Sequence, residues 1–526
     1  MAIYLGFDSS TQSLTATAIE VDGPRRRVLF EHTVPFDEAL PAYGTRHGVL
    51  PCEDPQVAAA PPLMWAEALD RIMADVSARI DISRVRAMSG SAQQHGSVYL
   101  ARGAAEQLAT LDPAVPLADQ IRSLFTRERS PIWMDSSTSE ECAVITRAVG
   151  GSAALARLTG SRAFERFTGP QICKFAREDP AAYARTERIH LVSSFLASLL
   201  AGAHAPVDPG DGSGTNLMDI AGRRWARAAI DATADGLEPR LPEIRESWTV
   251  VGQLAPYWRR RYGFPAANVV AWSGDNPCSL VGVGLVREGR VAISLGTSDT
   301  IFGYMSEPRV DPSGTGHVFG APTGGYMGLT CFRNGSLARE RVRDTYGLDW
   351  AGFSKALDQT PPGNRAAIML PWFEPEITPP VPVAGVRRCG LDTADAVANV
   401  RAVVEGQMMA MALHSRWMDV GVETIHATGG ASANRDILQV MADVFGATVQ
   451  ALDVGNSAAL GAALRAWHAD ELARGHDVGW DEIVAAFVEP AASGAIHGRV
   501  EYRHVYDELL QRYADCEAQA LTGSSD

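Results

Sequence analysis

The chain opens on an apolar run, residues 3–7, that is closed by a single acid, Asp8. A turn of small hydroxyl and amide residues follows (Ser9, Ser10, Thr11, Gln12), and then a second run, 14–21, rich in Thr, Ile and Val. This pattern predicts two strands joined by a tight turn. The rhythm then changes: Trp65, Leu69, Ile72, Met73, Val76 and Ile80 recur at helical spacing. A short strand is predicted at 85–88, running into the loop SAQQHGS. A further strand should end at Asp135. It leads into a helix opened by Ser137 and Glu140 at capping-box spacing and closed by Gly150 and Gly151. The most apolar stretch, 191–203, is short and carries Ser193, Ser194 and Ser198, which suits a buried helix and not a membrane span.

Strands and helices keep alternating, which predicts an α/β architecture. The style breaks near 285–289, and 291–305 then repeats the opening plan: apolar strand, Gly296, a hydroxyl-rich turn, second strand. Such an echo fits two related halves, although two unrelated hairpins would look the same. Residues 401–421 form a Met-rich helix expected in a core. Residues 424–427 predict a strand, Gly429 and Gly430 a turn, and 434–445 a helix. Residues 456–467 form a small-residue helix able to pack closely, while 359–364 and 374–389 are Pro-rich surface excursions. With 526 residues the chain exceeds one ordinary core. Two domains are therefore expected, 1–285 and 286–526, the second ending in a helical extension and joined to the first without a flexible linker.

A net charge of −15 argues against nucleic acid as a partner, because phosphate contacts need a basic surface. Seven scattered cysteines without CxxC spacing read as reduced thiols, neither a disulfide frame nor a zinc site. The start of the chain lacks a basic region and meets Asp8 early, unlike a signal peptide, so a cytoplasmic location is expected.

Asp8 stands out because a carboxylate at the end of a buried strand costs desolvation energy unless it is compensated. A structural cap would compensate it, and so would a hydrated Mg²⁺, which needs few carboxylates besides substrate phosphates. The turn after Asp8 and the Gly296-Thr297-Ser298 turn both offer amides and hydroxyls to phosphate oxygens. Asp275, in Gly274-Asp275-Asn276-Pro277, is either an ordinary Asp-Asn turn or a general base for a substrate hydroxyl, with Asn276 beside it. Gln93, Gln94 and His95 offer the donors and acceptors that a polyol needs. Arg162 and Arg166 read first as solvated surface residues. Gly429 and Gly430, with Asn434, either form a plain strand–helix turn or let a flat base approach the backbone. Neither a P-loop nor a Rossmann fingerprint is present.

The order GFDSSTQ, SAQQHGS, WMDSS, GDN, SLGTS and ATGGAS resembles the FGGY carbohydrate kinases. The stretches PIWMDSSTSEEC, TGSRAFERFTGPQI, DGSGTNL, SGDNPCSL, ISLGTSDTIF, FRNGSL and ATGGASANRDILQVMADVFGA resemble a ketopentose-specific branch of that family, from about residue 3 to residue 468. The resemblance implies two actin-like (ribonuclease-H-like) α/β domains with a catalytic cleft between them. The first would bind sugar and carry both acids; the second would bind nucleotide. It implies ATP and Mg²⁺ as cofactors, a ketopentose as substrate, no membrane partner and a homodimer. Asp275 would be the base and Asp8 the Mg²⁺ and phosphate residue. Gln94, His95, Arg166, Asp275 and Asn276 would line the sugar pocket. Thr11, Gly296 and Thr297 would face phosphates, and Trp350, Gly429, Gly430, Ala431 and Asn434 would border the adenine nucleotide. The implied reaction is transfer from ATP to the terminal hydroxyl of D-xylulose. Another ketose or polyol (ribulose, sedoheptulose, glycerol) and a non-catalytic sugar sensor are the alternatives. Many bacterial relatives have Met where this chain has Gln94, and many family members have an acid where it has Asn456, so sugar preference is the less constrained part.

Overall fold

The computed structural model describes residues 1–23, 25–452, 455–488 and 494–523. The chain forms two compact units. The first comprises Met1–Val286, Val318–Met327 and Gly455–Val488; the second comprises Arg287–His317, Gly328–Val454 and Glu489–Asp526. The main junction falls one residue from the boundary expected at 285/286, but the chain returns to the first unit twice, which a single cut does not provide for. Close packing explains the second return. A Cβ on Gly6 would sit 2.0 Å from the Ala459 carbonyl oxygen, and one on Gly461 would sit 1.9 Å from that of Cys278. The Ser457–Ala473 helix therefore lies backbone to backbone on the first unit's sheet, as its run of small residues predicts.

That sheet is built on β1 (Ala2–Ser9), β2 (Ser13–Asp22), β3 (Arg25–Pro35), β4 (Val85–Ala92), β5 (Val250–Gln253), β6 (Asn268–Val270) and β7 (Ser273–Gly274). Its order is β5-β6-β4-β1-β2-β3, with β7 also paired to β4. β1 and β2 form the antiparallel hairpin, and β1 and β4 run parallel with Asp8 opposite Ser91. The Pro62–Arg79 helix buries the predicted face of Trp65, Leu69, Ile72, Met73 and Val76, each worth roughly 1.5–3 kcal/mol on full burial. Val192–Ala201 is a buried helix of ten residues. Among the described residues no helix is long and apolar enough to cross a membrane.

The second unit repeats the plan with β8 (Arg290–Leu295), β9 (Asp299–Met305), β10 (Thr424–Thr428), β11 (Thr448–Ala451) and β12 (Ile496–His497). β8 and β9 form an antiparallel hairpin, while β8, β10 and β11 run parallel. Ser294 stands opposite Thr428 as Asp8 stands opposite Ser91, so the repeat seen in sequence is a repeat of strand order and register. The Met-rich segment is the buried helix Ala396–His414.

Two local expectations are corrected. The helix after Asp135 spans Ser139–Val149 with Thr138 at its N-cap and no side-chain cap. Asp135 Oδ1 instead accepts from the amide and hydroxyl of Ser137, at 2.9 and 2.6 Å; a carboxylate takes those donors ahead of any capping box. The second correction concerns the thiols. Cys389 and Cys516, 127 residues apart, form a disulfide, while Cys52, Cys142, Cys173, Cys278 and Cys331 are not disulfide-bonded. Only tertiary folding brings that pair together.

Candidate active site

In the first unit the strand ends deliver two carboxyls. Asp8, at the end of β1, accepts a hydrogen bond from the Ser91 hydroxyl at 2.5 Å. Burial pushes its carboxyl up to about 6, against the pull of that bond. Asp275 follows β7 and is the first residue of the Asp275–Gly282 helix, not a residue of an isolated turn. Burial first, and the charge of Asp8 second, push it up to about 7. Among the described residues neither acid has a cation as partner. Half-buried carboxyls that repel each other and are pushed up toward neutrality are characteristic of working sites.

The residues around Asp275 form one hydrogen-bonded set. Asn276 Nδ2 donates to Gln94 Oε1 at 2.8 Å and to Asp275 Oδ1 at 3.1 Å. Gln94 Nε2 donates to the Gly210 carbonyl at 3.2 Å. Gly274 is required here, since a Cβ would stand 2.4 Å from Gln94 Cγ. His95 is buried and stacks on Phe167 with centroids 4.3 Å apart. Its Nδ1 lies 2.6 Å from the Gly214 carbonyl. A carbonyl oxygen only accepts, so Nδ1 carries the proton and Nε2 is left as an acceptor. Burial, then the charge of Arg166, push this imidazole down to about 3, so it stays neutral. Arg166 is half-buried, its guanidinium 5.1 Å from the Phe164 ring and 5.8 Å from Phe167; it is not the solvated arginine that a surface position implies. The structure thus gathers Asp8, Gln94, His95, Arg166, Asp275 and Asn276 in one unit, with donors, acceptors and a base suited to a polyhydroxyl ligand. Thr11 accepts from Trp133 Nε1 at 2.8 Å. Trp133 is 46% exposed and was missed by sequence reasoning, which read the WMDSS stretch only as a strand end; an aromatic residue beside two hydroxyl-rich segments was the available signal.

The second unit holds a cavity of about 660 Å³ lined by Gly296, Thr297, Trp350, Ser354, Gly430, Ala431 and Asn434, among others. Its size is that of a small-ligand site. Trp350 forms one wall, 42% exposed, with the Arg343 guanidinium 4.6 Å from its ring. Asn434 caps the Arg435–Phe445 helix, its Oδ1 accepting from the amides of Asp436 and Ile437 at 3.0 and 3.1 Å. Its Nδ2 donates to Ser354 Oγ at 2.8 Å. Gly429 is absent from the lining. It takes a left-handed φ of 85° and leaves no room for a Cβ, which would lie 2.5 Å from the Leu295 carbonyl oxygen; it is needed for the close passage of β8, with Gly430 and Ala431 facing the cavity. Asp299, just after the Gly296–Ser298 turn, is locked by Arg339 at 2.8 and 3.1 Å, both side chains buried. An apolar wall, a glycine turn and free hydroxyls suit a flat base with attached phosphates.

Residues 127–282 match the N-terminal domain, and 291–469 the C-terminal domain, of the FGGY family of carbohydrate kinases. The chain is 44% identical to the xylulose kinase of Mus musculus, across 98% of this chain and 94% of that protein. It is 43% identical to xylulose kinase 2 of Arabidopsis thaliana, across 89% and 87%. The crystal structure of xylulose kinase from Rhodospirillum rubrum superposes with a TM-score of 0.81 at 20% identity, across 98% of each chain. That likeness establishes the fold, the actin-like arrangement of ribonuclease-H-like α/β units. The chain belongs to the FGGY family of carbohydrate kinases.

Proposed function

We propose that this protein transfers the γ-phosphoryl group of ATP to the terminal hydroxyl of D-xylulose, giving D-xylulose 5-phosphate and ADP. The choice of sugar rests on the relatives named above, and the chemistry on one observation: Asp275, half-buried at the end of β7, stands in one hydrogen-bonded set with Asn276 and Gln94, where its carboxyl is pushed up to about 7. A base poised near the working pH is half ionised there, and so it accepts a hydroxyl proton without being locked in either state.

Phosphoryl transfer demands positioning and charge neutralisation more than covalent work by the protein. In the proposed reading Asn276, Gln94 and the acceptor nitrogen Nε2 of His95 hold sugar hydroxyls, and Arg166 closes that side. Asp275 takes the proton of the attacking hydroxyl. Trp350, Gly430 and Ala431 seat the base of ATP, and Gly296 and Thr297 offer an amide and a hydroxyl to its phosphates. Asp8 fits a divalent cation: it is one unpaired carboxylate next to hydroxyls, as suits Mg²⁺ held mostly by water and substrate phosphate. Among the described residues no group of three or more His, Cys, Asp or Glu forms a metal cage. When bound, Mg²⁺ would offset the charge of the phosphates.

The test is release of ADP from MgATP with D-xylulose, D-ribulose, sedoheptulose, glycerol or no acceptor. The expected result is fastest release with D-xylulose and slow release without sugar. Preference for another acceptor would move the substrate assignment, and sugar-independent or absent release would overturn the kinase reading.

A further inference from the structure

One buried carboxyl near this site has a free oxygen and no role in the scheme above. Asp211 lies in the short segment 208–214, whose place is fixed from two sides. A Cβ on Gly210 would meet Ser273 Oγ at 2.4 Å and Pro277 Cβ at 3.0 Å, on either side of Asp275. A Cβ on Gly214 would meet His95 Nδ1 at 3.1 Å and Gln94 Nε2 at 3.4 Å. Gln94 and His95 also grip the segment through the Gly210 and Gly214 carbonyls. The segment that carries Asp211 therefore touches the residues on either side of the base at one end and the amide–imidazole pair at the other.

Its side chain is 1% exposed. One oxygen, Oδ2, accepts from the Ser193 hydroxyl; the other, Oδ1, has no hydrogen-bond partner among the described residues. Its neighbour Asp208 is served fully by comparison, taking the Asp211 amide at 2.9 Å, the Ser247 hydroxyl at 2.5 Å and the Arg465 guanidinium at 3.8 Å. A buried carboxyl oxygen left without a partner keeps its desolvation penalty, which the Ser193 bond to the other oxygen does not relieve.

We propose that Asp211 is a further sugar-reading residue, whose free Oδ1 takes a hydroxyl of the acceptor that Asp275, Asn276 and His95 do not hold. The assignment rests on the kinase reading above. Burial, followed by the charges of Asp208 and Asp275, holds the Asp211 carboxyl well above the usual carboxylate range. That shift favours the protonated carboxyl, which donates as well as accepts.

The test compares Asp211→Leu with Asp211→Asn and the unmodified protein, measuring KM for D-xylulose and for ATP. Asp211→Leu should raise the sugar KM at least tenfold while the ATP KM moves less than twofold. Asp211→Asn, which keeps a donor and an acceptor in the same volume, should recover most of that loss. If Asp211→Leu does not fold, Asp211→Ala carries the same readings. A sugar KM within twofold of normal in a folded Leu or Ala variant overturns the proposal. So does an equal rise in both KM values, or failure of both variants to fold while the Asn variant matches the unmodified protein, since each assigns Asp211 to structure alone. If the unmodified protein releases no ADP with any sugar, the kinase reading has failed instead; calorimetric binding of D-xylulose to the same variants then decides the Asp211 question by the same tenfold criterion.

Discussion

Asp8 and Asp299 flank equivalent turns in two sheets of the same strand order, yet their surroundings are opposite. Asp8 stands before its turn with, among the described residues, the Ser91 hydroxyl as its side-chain partner. Asp299 stands after its turn and is held by both outer nitrogens of buried Arg339. One carboxylate is paired with a buried cation, although burial still holds it above the usual range, and the other has no cation among the described residues. The contrast separates structure from function: the second unit uses its acid to fix the Gly296–Ser298 turn, whereas the first keeps two unpaired acids, Asp8 and Asp275, available to a ligand. Repeats of this kind share a backbone plan and divide the chemistry through a few side chains.

The sharpest way to break the contrast is Asp275→Asn. Turnover should fall by about 10²–10⁴-fold, the usual worth of a general base, while D-xylulose still binds calorimetrically. Near-normal turnover would make Asp275 another structural acid. Next in size is a paired unfolding experiment. Asp299→Asn strands the Arg339 charge and should cost about 3–5 kcal/mol in urea unfolding. Asp8→Asn should stabilise the unliganded protein, because it removes a charge that nothing offsets. The sign follows from linkage. A carboxyl raised from 3.8 to about 6 keeps its proton in the folded state after the unfolded chain has lost it, so stability falls as pH rises from about 4 to about 6 and levels off above that. The Asp8→Asn gain should grow over that window, and a gain independent of pH would contradict it. The smallest effect is expected at Trp350, on the wall of the second unit's cavity. Trp350→Ala should raise the ATP KM about 2- to 10-fold, the equivalent of roughly 0.5–1.5 kcal/mol of aromatic contact, and leave the sugar KM unchanged.

What could be read from sequence was whatever depends on neighbours along the chain. The two hairpins, the Trp65–Val76 helical face and the strand–Gly–helix unit at 424–445 follow from local rhythm, and the resemblance of motifs pointed to Asp8, Asp275, His95 and the cavity around Asn434. Three kinds of feature were hidden. Gly429 looked like a ligand-facing glycine, but its role is set by the Leu295 carbonyl of another strand. Segments 318–327 and 455–488 join the first unit; the small residues of 456–467 foretell close packing, but not which unit they pack on. Asp211 sits in a motif, DGSGTNL, that entered only through the family resemblance, and its burial shows only once the chain folds. Ser137 shows the same limit at short range: its capping-box spacing was genuine, and Asp135 took the donors first.

The most direct test of the account is the pH dependence of kcat/KM for D-xylulose, which reports the free enzyme's base. Asp275 must be ionised to accept the proton, and its carboxyl titrates at about 7. The account therefore requires kcat/KM to fall on the acid side with a midpoint near 7. That limb should be missing from the residual activity of Asp275→Asn. A profile that stays level down to pH 5, or a limb that survives in the Asn variant, would contradict the assignment of Asp275 as the base.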